Sequence, residues 1–176
     1  KLKASEAASK DLRIWSAASS TGEEAYTIAM VLKDFFGIDH HMWDTTVLAT
    51  DISTKVLMHA QRGRYLKEQI EPLPENWRRK YFKQISPLEY QVKPELKKEV
   101  LFRQFNLMNP FPFRKPFHIV FLRNVMIYFD EKTKVELLNK IYDHMAPGGY
   151  LFIGTTESMN RNATKFQYVE PSIYKK

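Results

Sequence analysis

The sequence predicts an α/β fold built on a parallel sheet, and three observations carry that prediction. Two short apolar runs, LRIWSAA at 12–18 and TVLAT at 46–50, are each followed by a turn and an amphipathic helical pattern. FHIVFL at 117–122, the most strand-like run in the chain, precedes a third helical pattern. The 176 residues, 44% of them apolar, fill one core and leave too little for two full domains.

The elements follow in chain order. Residues 1–10 are polar, rich in Ala and Ser and aperiodic, which reads as a disordered or linker segment, with order beginning near Asp11. SSTGEE at 19–24 has the composition of a turn. Thr21, three positions before Glu24, fits a capping box for a helix whose face is Ala25, Ile28, Ala29, Leu32 and Phe36 and which Gly37 stops. The second strand ends at Asp51, after which Ser53 caps a helix running to about Gln61. From 62 to 104 the rhythm breaks: a helix over Glu75–Phe82 precedes Tyr90–Lys93 and Val100–Gln104, which read as a hairpin around a solvated ELKKE. Pro87 and Pro94 keep those strands short, and the stretch at about 83–104 reads as a small inserted β-subdomain. After FHIVFL, Val135, Leu138, Tyr142 and Met145 mark a helix from about Glu131 to His144 that PGG at 147–149 ends. Tyr150–Gly154 is a further buried strand, followed by an antiparallel pair near Tyr168 and Ile173.

Composition removes several chemistries. With no Cys there is no disulfide, thiolate metal site or Cys nucleophile. The five His residues show no ligand spacing, so no metal is expected, and Ser16, Ser19 and Ser20 lack the GxSxG elbow of a hydrolase. No run approaches the roughly 18 apolar residues of a membrane span and no signal peptide is seen, which points to a soluble, cytoplasmic protein without membrane insertion. The net charge of +7 favours anionic partners, but the basic residues are spread without the aromatic-interleaved array of a nucleic-acid-binding sheet, so no nucleic acid is expected.

Ligands of open parallel sheets sit outside the carboxyl ends of the strands, which singles out SSTGEE, Asp51, the Asn106 turn, and Arg123 with Asn124. A small-residue loop opening a helix, followed by an acid that ends the next strand, suits a nucleoside whose ribose hydroxyls the acid accepts. Neither GxGxxG nor GxxxxGK[ST] is present, so a ligand without phosphates is favoured.

WSAASSTGEEAYTIAM, LATDIS, FNLMNPF, FLRNVMIYF and PGGYLFIGTTES together resemble the chemotaxis receptor methyltransferases of the CheR type, from about Asp11 to Tyr174. The resemblance implies the catalytic C-terminal domain of that family at 11–176: a Rossmann-like class I methyltransferase fold with a small inserted β-subdomain. It implies S-adenosylmethionine as cofactor, S-adenosylhomocysteine as product and esterification of glutamate side chains on methyl-accepting chemotaxis receptors. Carried over by position, Glu24 and Glu23 resemble cofactor contacts, Asp51 the ribose ligand, and Asn106 and Leu107 the adenine-side contacts. Arg123 and Asn124 resemble the segment lining the cofactor and substrate cleft, and Tyr128 a tyrosine near the transferred methyl group. Arg123 and Tyr128 are thereby the candidates for orienting the substrate carboxylate.

Structural readings stand beside these. Glu24 fits a capping-box carboxylate, Asp51 a helix cap, Asn106 a turn residue, Asn124 a loop-to-helix cap, Arg123 an ion pair and Tyr128 core packing. The helical N-terminal domain normal for the family is not seen in this chain, so weak or absent transfer by this piece alone is expected. The stretch read as the inserted subdomain holds no glycine-containing hairpin, which argues against tethering of a receptor's C-terminal peptide there. The alternative function is a cofactor-binding regulatory or scaffolding module that has lost transfer; a small-molecule or RNA methyltransferase is demanded by no motif.

Overall fold

The computed structural model describes residues 10–160 and 163–176. The segment read as a linker falls almost wholly on 1–9, outside the described residues; the carbonyl of Lys10 already accepts the N–H of Asp44 at 2.8 Å.

A seven-stranded sheet forms the centre, in the order β6–β2–β1–β7–β8–β10–β9. Its strands are β1 (Ile14–Ser16), β2 (Val47–Asp51), β6 (Val100–Gln104), β7 (Phe117–Leu122), β8 (Met145–Ile153), β9 (Gln167–Glu170) and β10 (Ile173–Lys175). The first five pair in parallel, and β10 adds antiparallel to β8 and to β9, so the expected antiparallel pair is borne out. The helices that flank it are α1 (Glu23–Phe36), α2 (Thr54–Arg62) and α6 (Glu131–Asp143).

Alternation along β1 feeds two cores. Ile14 packs with the buried face of α1, from Ala25 to Leu32, whereas its neighbour Trp15, fully buried, packs on the other face of the sheet with Leu137, Leu138 and Ile141 of α6. Trp15 is enclosed by Phe105, Phe111, Phe113 and Phe117 at ring-centre distances of 5.0–6.3 Å, and its indole N–H donates to the Thr50 hydroxyl at 2.9 Å.

Between β2 and β6 the chain builds a second, three-stranded antiparallel sheet from β3 (Arg64–Leu66), β4 (Phe82–Gln84) and β5 (Glu89–Val92), in the order β3–β5–β4. Two short helices, α3 (Lys67–Ile70) and α4 (Glu75–Tyr81), lie between β3 and β4. The hairpin expected between Tyr90–Lys93 and Val100–Gln104 does not form. Tyr90 and Gln91 find partners on both sides within the small sheet, while Val100–Gln104 pairs in parallel with β2 because Val100 and Phe102 belong to the main core. The ELKKE stretch is not simply solvated: it overlaps α5 (Pro94–Lys97), whose Leu96 is fully buried. PGG does not end the third helix either. That helix stops at Asp143, and β8 runs straight through Pro147–Gly149 by shifting its register against β7 between Phe117 and Ile119.

Candidate active site

Strand order reverses between β1 and β7, and in such sheets the crevice lies outside the carboxyl ends of the strands that flank the reversal. The loop after β1 is stretched across it. Ala17 N–H donates to the carbonyl of Phe121 on β7, and Ser19 N–H to that of Thr50 on β2, each at 2.9 Å. Gly22 then turns the chain into α1 with φ 96°, and a Cβ there would lie 2.8 Å from the Cβ of Ala60 on α2, so glycine is needed for both conformation and space. The hydroxyl of Ser19 is buried in this loop without a hydrogen-bond partner among the described residues.

The capping box does not form. Gly22 is the residue preceding α1, no side chain caps the helix, and Thr21 donates to Glu23 at 2.7 Å. Glu24 instead faces the crevice: one carboxylate oxygen accepts from the Ser16 hydroxyl at the end of β1 at 2.9 Å, and the other pairs with the Arg123 guanidinium after β7 at 3.0 Å. Glu23 is exposed and points elsewhere, toward Thr21 and Gln69 of α3, so the two neighbouring glutamates do not share a site.

Asp51 ends β2 half-buried, its oxygens accepting the N–H groups of Ser20 and Ser53, each at 2.9 Å. It does not cap α2, since Ser53 is the capping residue and accepts from Val56 N–H at 3.5 Å. Each Asp51 oxygen keeps a further lone pair for a hydroxyl donor. The backbone carbonyl of Asp51 accepts Phe105 N–H at 2.9 Å, which brings the Asn106 turn alongside. Asn106 is engaged as a turn residue, accepting Met108 N–H at 2.9 Å, and Leu107 is buried in the second core.

After β7, Asn124 adopts φ 56°, a left-handed conformation that asparagine tolerates well. Tyr128 ends a short 3-10 turn, Met126–Tyr128, with Met126 buried and Tyr128 78% exposed, so the core-packing reading of this tyrosine fails. One residue that sequence reasoning missed organises this loop. Glu157 accepts four backbone N–H groups, from Asn124, Val125, Met126 and Gly154, at 2.7–3.0 Å. Gly154 must be small, because a Cβ there would come within 2.6 Å of both Asn124 Oδ1 and Glu157 Oε2. The signal was the acid in GTTES just past a buried strand, the same signal that singled out Asp51.

An apolar groove of about 320 Å³ runs from Glu24 and Arg123 between α1 and the sheet, past Ile28, Val31, Ile119 and Phe121. Among the described residues no three His, Asp or Glu groups cluster as a metal site, and no helix is long and apolar enough to cross a membrane.

A mostly parallel seven-stranded sheet with helix-opening loops and a strand-ending acid at its switch point defines a Rossmann-like methyltransferase fold. The glycopeptide N-methyltransferase MtfA, solved with sinefungin, superposes with a TM-score of 0.50 at 15% identity over 81% of this chain and 42% of its own. The chain belongs to a narrower family: residues 1–175 match the model of the CheR methyltransferase, SAM binding domain, so S-adenosylmethionine is the cofactor of its family. It is 45% identical over 167 residues to the chemotaxis protein methyltransferase of Borreliella burgdorferi, and 38% identical over 170 residues to that of Escherichia coli. Each alignment covers 94% of this chain and 59% of the relative, so the chain spans about three fifths of the curated relatives it matches.

Proposed function

We propose that this chain is the S-adenosylmethionine-dependent catalytic part of a cytoplasmic protein-glutamate O-methyltransferase that esterifies glutamate side chains of chemotaxis receptors. One observation supports it above the others: the carboxyl ends of β1, β2 and β7 hold two carboxylates, Glu24 and Asp51, with the Arg123 guanidinium on the first. Such a set suits a cationic nucleoside cofactor and an anionic acceptor. The chain's fit to that cofactor rests on the lone pairs left on Asp51 for ribose hydroxyls and on the unpartnered Ser19 hydroxyl in the loop between them.

When bound, the cofactor supplies an electrophilic sulfonium methyl group. The protein's own share is positioning. A glutamate carboxylate is already ionised at pH 7, so no general base is needed, and aligning it and stripping its water provide the acceleration. Asp51 would hold the ribose and Asn106 and Leu107 would flank the base; Glu157 fixes the loop at Asn124, and Tyr128 with Arg123 would orient the incoming carboxylate. An arginine that gripped that carboxylate too tightly would stabilise the ground state, which favours Tyr128 as the closer orienting group.

Calorimetric titration with S-adenosylhomocysteine tests the reading. Asp51→Ala is expected to weaken binding by at least about tenfold, since a charged hydrogen-bond acceptor is lost; unchanged binding would remove Asp51 from the site. Transfer of labelled methyl groups to receptor by the full-length protein, absent in the same variant, completes the test.

A further inference from the structure

Glu24 and Arg123 are both assigned to the cofactor cleft, yet their charges are spent on each other. We infer that Arg123 is a placeholder on Glu24: the cofactor's ammonium group takes its place, and the released guanidinium draws in the carboxylate of the acceptor, which Tyr128 then aligns. The inference rests on the cofactor reading above and adds an order of events to it, cofactor first and acceptor second.

The two partners differ in the way such an exchange requires. Glu24 is fixed, its side chain only 21% exposed, carried on the first turn of α1 and held at its other oxygen by Ser16. Arg123 is less constrained: its side chain is 40% exposed, it extends from the loop after β7, and among the described residues its guanidinium pairs with Glu24. A half-exposed pair of this kind contributes little to folding, so a second cation displaces it at small cost. Ser16 keeps the carboxylate aimed while the cations trade places. Once displaced, a long guanidinium beside the crevice is an exposed positive charge with five donors in a planar fork, suited to a carboxylate.

The experiment compares two nucleosides that differ in the amino acid end. Wild-type protein, Arg123→Met and Arg123→Lys are titrated calorimetrically with S-adenosylhomocysteine and with 5′-methylthioadenosine, which lacks the whole amino acid end, ammonium and carboxylate together. Circular dichroism melting verifies that each variant is folded. Arg123→Met is expected to bind S-adenosylhomocysteine about threefold to tenfold more tightly than wild type, because the competing cation is gone. Methylthioadenosine affinity is expected to stay within about twofold, and Arg123→Lys to fall near wild type. Weaker or unchanged binding of S-adenosylhomocysteine by Arg123→Met, with methylthioadenosine still bound, overturns the placeholder and leaves the cofactor reading standing. Failure of the wild-type protein to bind either nucleoside overturns both. Side-chain NMR of the Arg123 guanidinium reads the release: its signal is expected to move with S-adenosylhomocysteine and equally with decarboxylated S-adenosylhomocysteine, which keeps the ammonium alone, and not with methylthioadenosine. Acetate is expected to perturb it only after one of the two ammonium-bearing nucleosides is bound. A shift confined to the carboxylate-bearing nucleoside would overturn the placeholder. Acetate binding that is indifferent to the nucleoside would overturn the order of events.

Discussion

Glu157 and Tyr128 show how differently two residues of one loop system can be used. The four N–H groups on the Glu157 carboxylate come from two separate segments, 124–126 and 154, so a single side chain sets the distance between the ends of β7 and β8. Glu157→Gln replaces one acceptor oxygen by a donor and leaves two of those N–H groups facing it. A loss of about 1–3 kcal/mol in urea denaturation is expected, together with weaker cofactor binding. Tyr128 contributes nothing comparable to the fold: among the described residues its backbone N–H donates to the Val125 carbonyl at 3.2 Å, and the residue is 78% exposed. Tyr128→Phe should therefore leave stability within about 0.5 kcal/mol while methyl transfer by the full-length protein falls about tenfold to a hundredfold, a separation that equal loss of both would refute.

At the scale of elements, two junctions decide whether the crevice keeps its shape. The first is the entry to α1. Gly22→Ala forces φ 96° on a residue with a side chain and drives its Cβ against Ala60, so a loss of about 1–3 kcal/mol and a displaced cofactor loop are expected, measured by denaturation and by nucleoside affinity. The second joins α1 to α4. Asp34 near the end of α1 accepts from Lys80, Tyr81 and Trp77, and these hydrogen bonds, that of Lys80 foremost, hold its carboxyl below the ordinary value of 3.8. Because the folded-state value is the lower one, this stabilisation is fully present above about pH 4 and is lost as pH falls through the folded value. Asp34→Asn should lower stability at neutral pH by about 1–2 kcal/mol and flatten the acid limb of the stability curve below pH 4; an acid limb identical to wild type would assign it to other carboxylates.

Elements were legible where one periodicity dominated. FHIVFL became β7 at 117–122 without change, and α1 stopped at Gly37 as read, because both are set by local pattern. Val100–Gln104 was misassigned because an alternating run states that it will be a strand but not which strand it will join. Its partner, β2, lies about fifty residues earlier, and β5 was already saturated by β3 and β4. The site divided in the same way. Asp51 ends one strand and Arg123 follows another, and each could be placed from that fact alone. The pairing of Glu24 with Ser16 and Arg123 depends on which strands are neighbours, so it could not be read locally, whereas the capping pattern of Thr21 and Glu24 could be and did not form in the fold.

Over the whole molecule, the sheet is covered unequally. Val120, Leu122, Leu151, Ile153 and Tyr174 are buried toward α6, whereas Ile119, Phe121, Phe152 and Ile173 on the opposite face are only half-buried. The packing on the α6 side is completed by the ring of phenylalanines around Trp15, and that enclosure has an optical consequence. An indole sealed from water emits at short wavelength and is out of reach of a collisional quencher such as iodide, while the other two tryptophans, Trp43 and Trp77, are partly exposed. Since the Trp15 indole donates to Thr50, the residue next to Asp51, the quencher-resistant emission comes from a chromophore one hydrogen bond from the crevice. The protein thus carries its own unlabelled reporter of what happens at the end of β2.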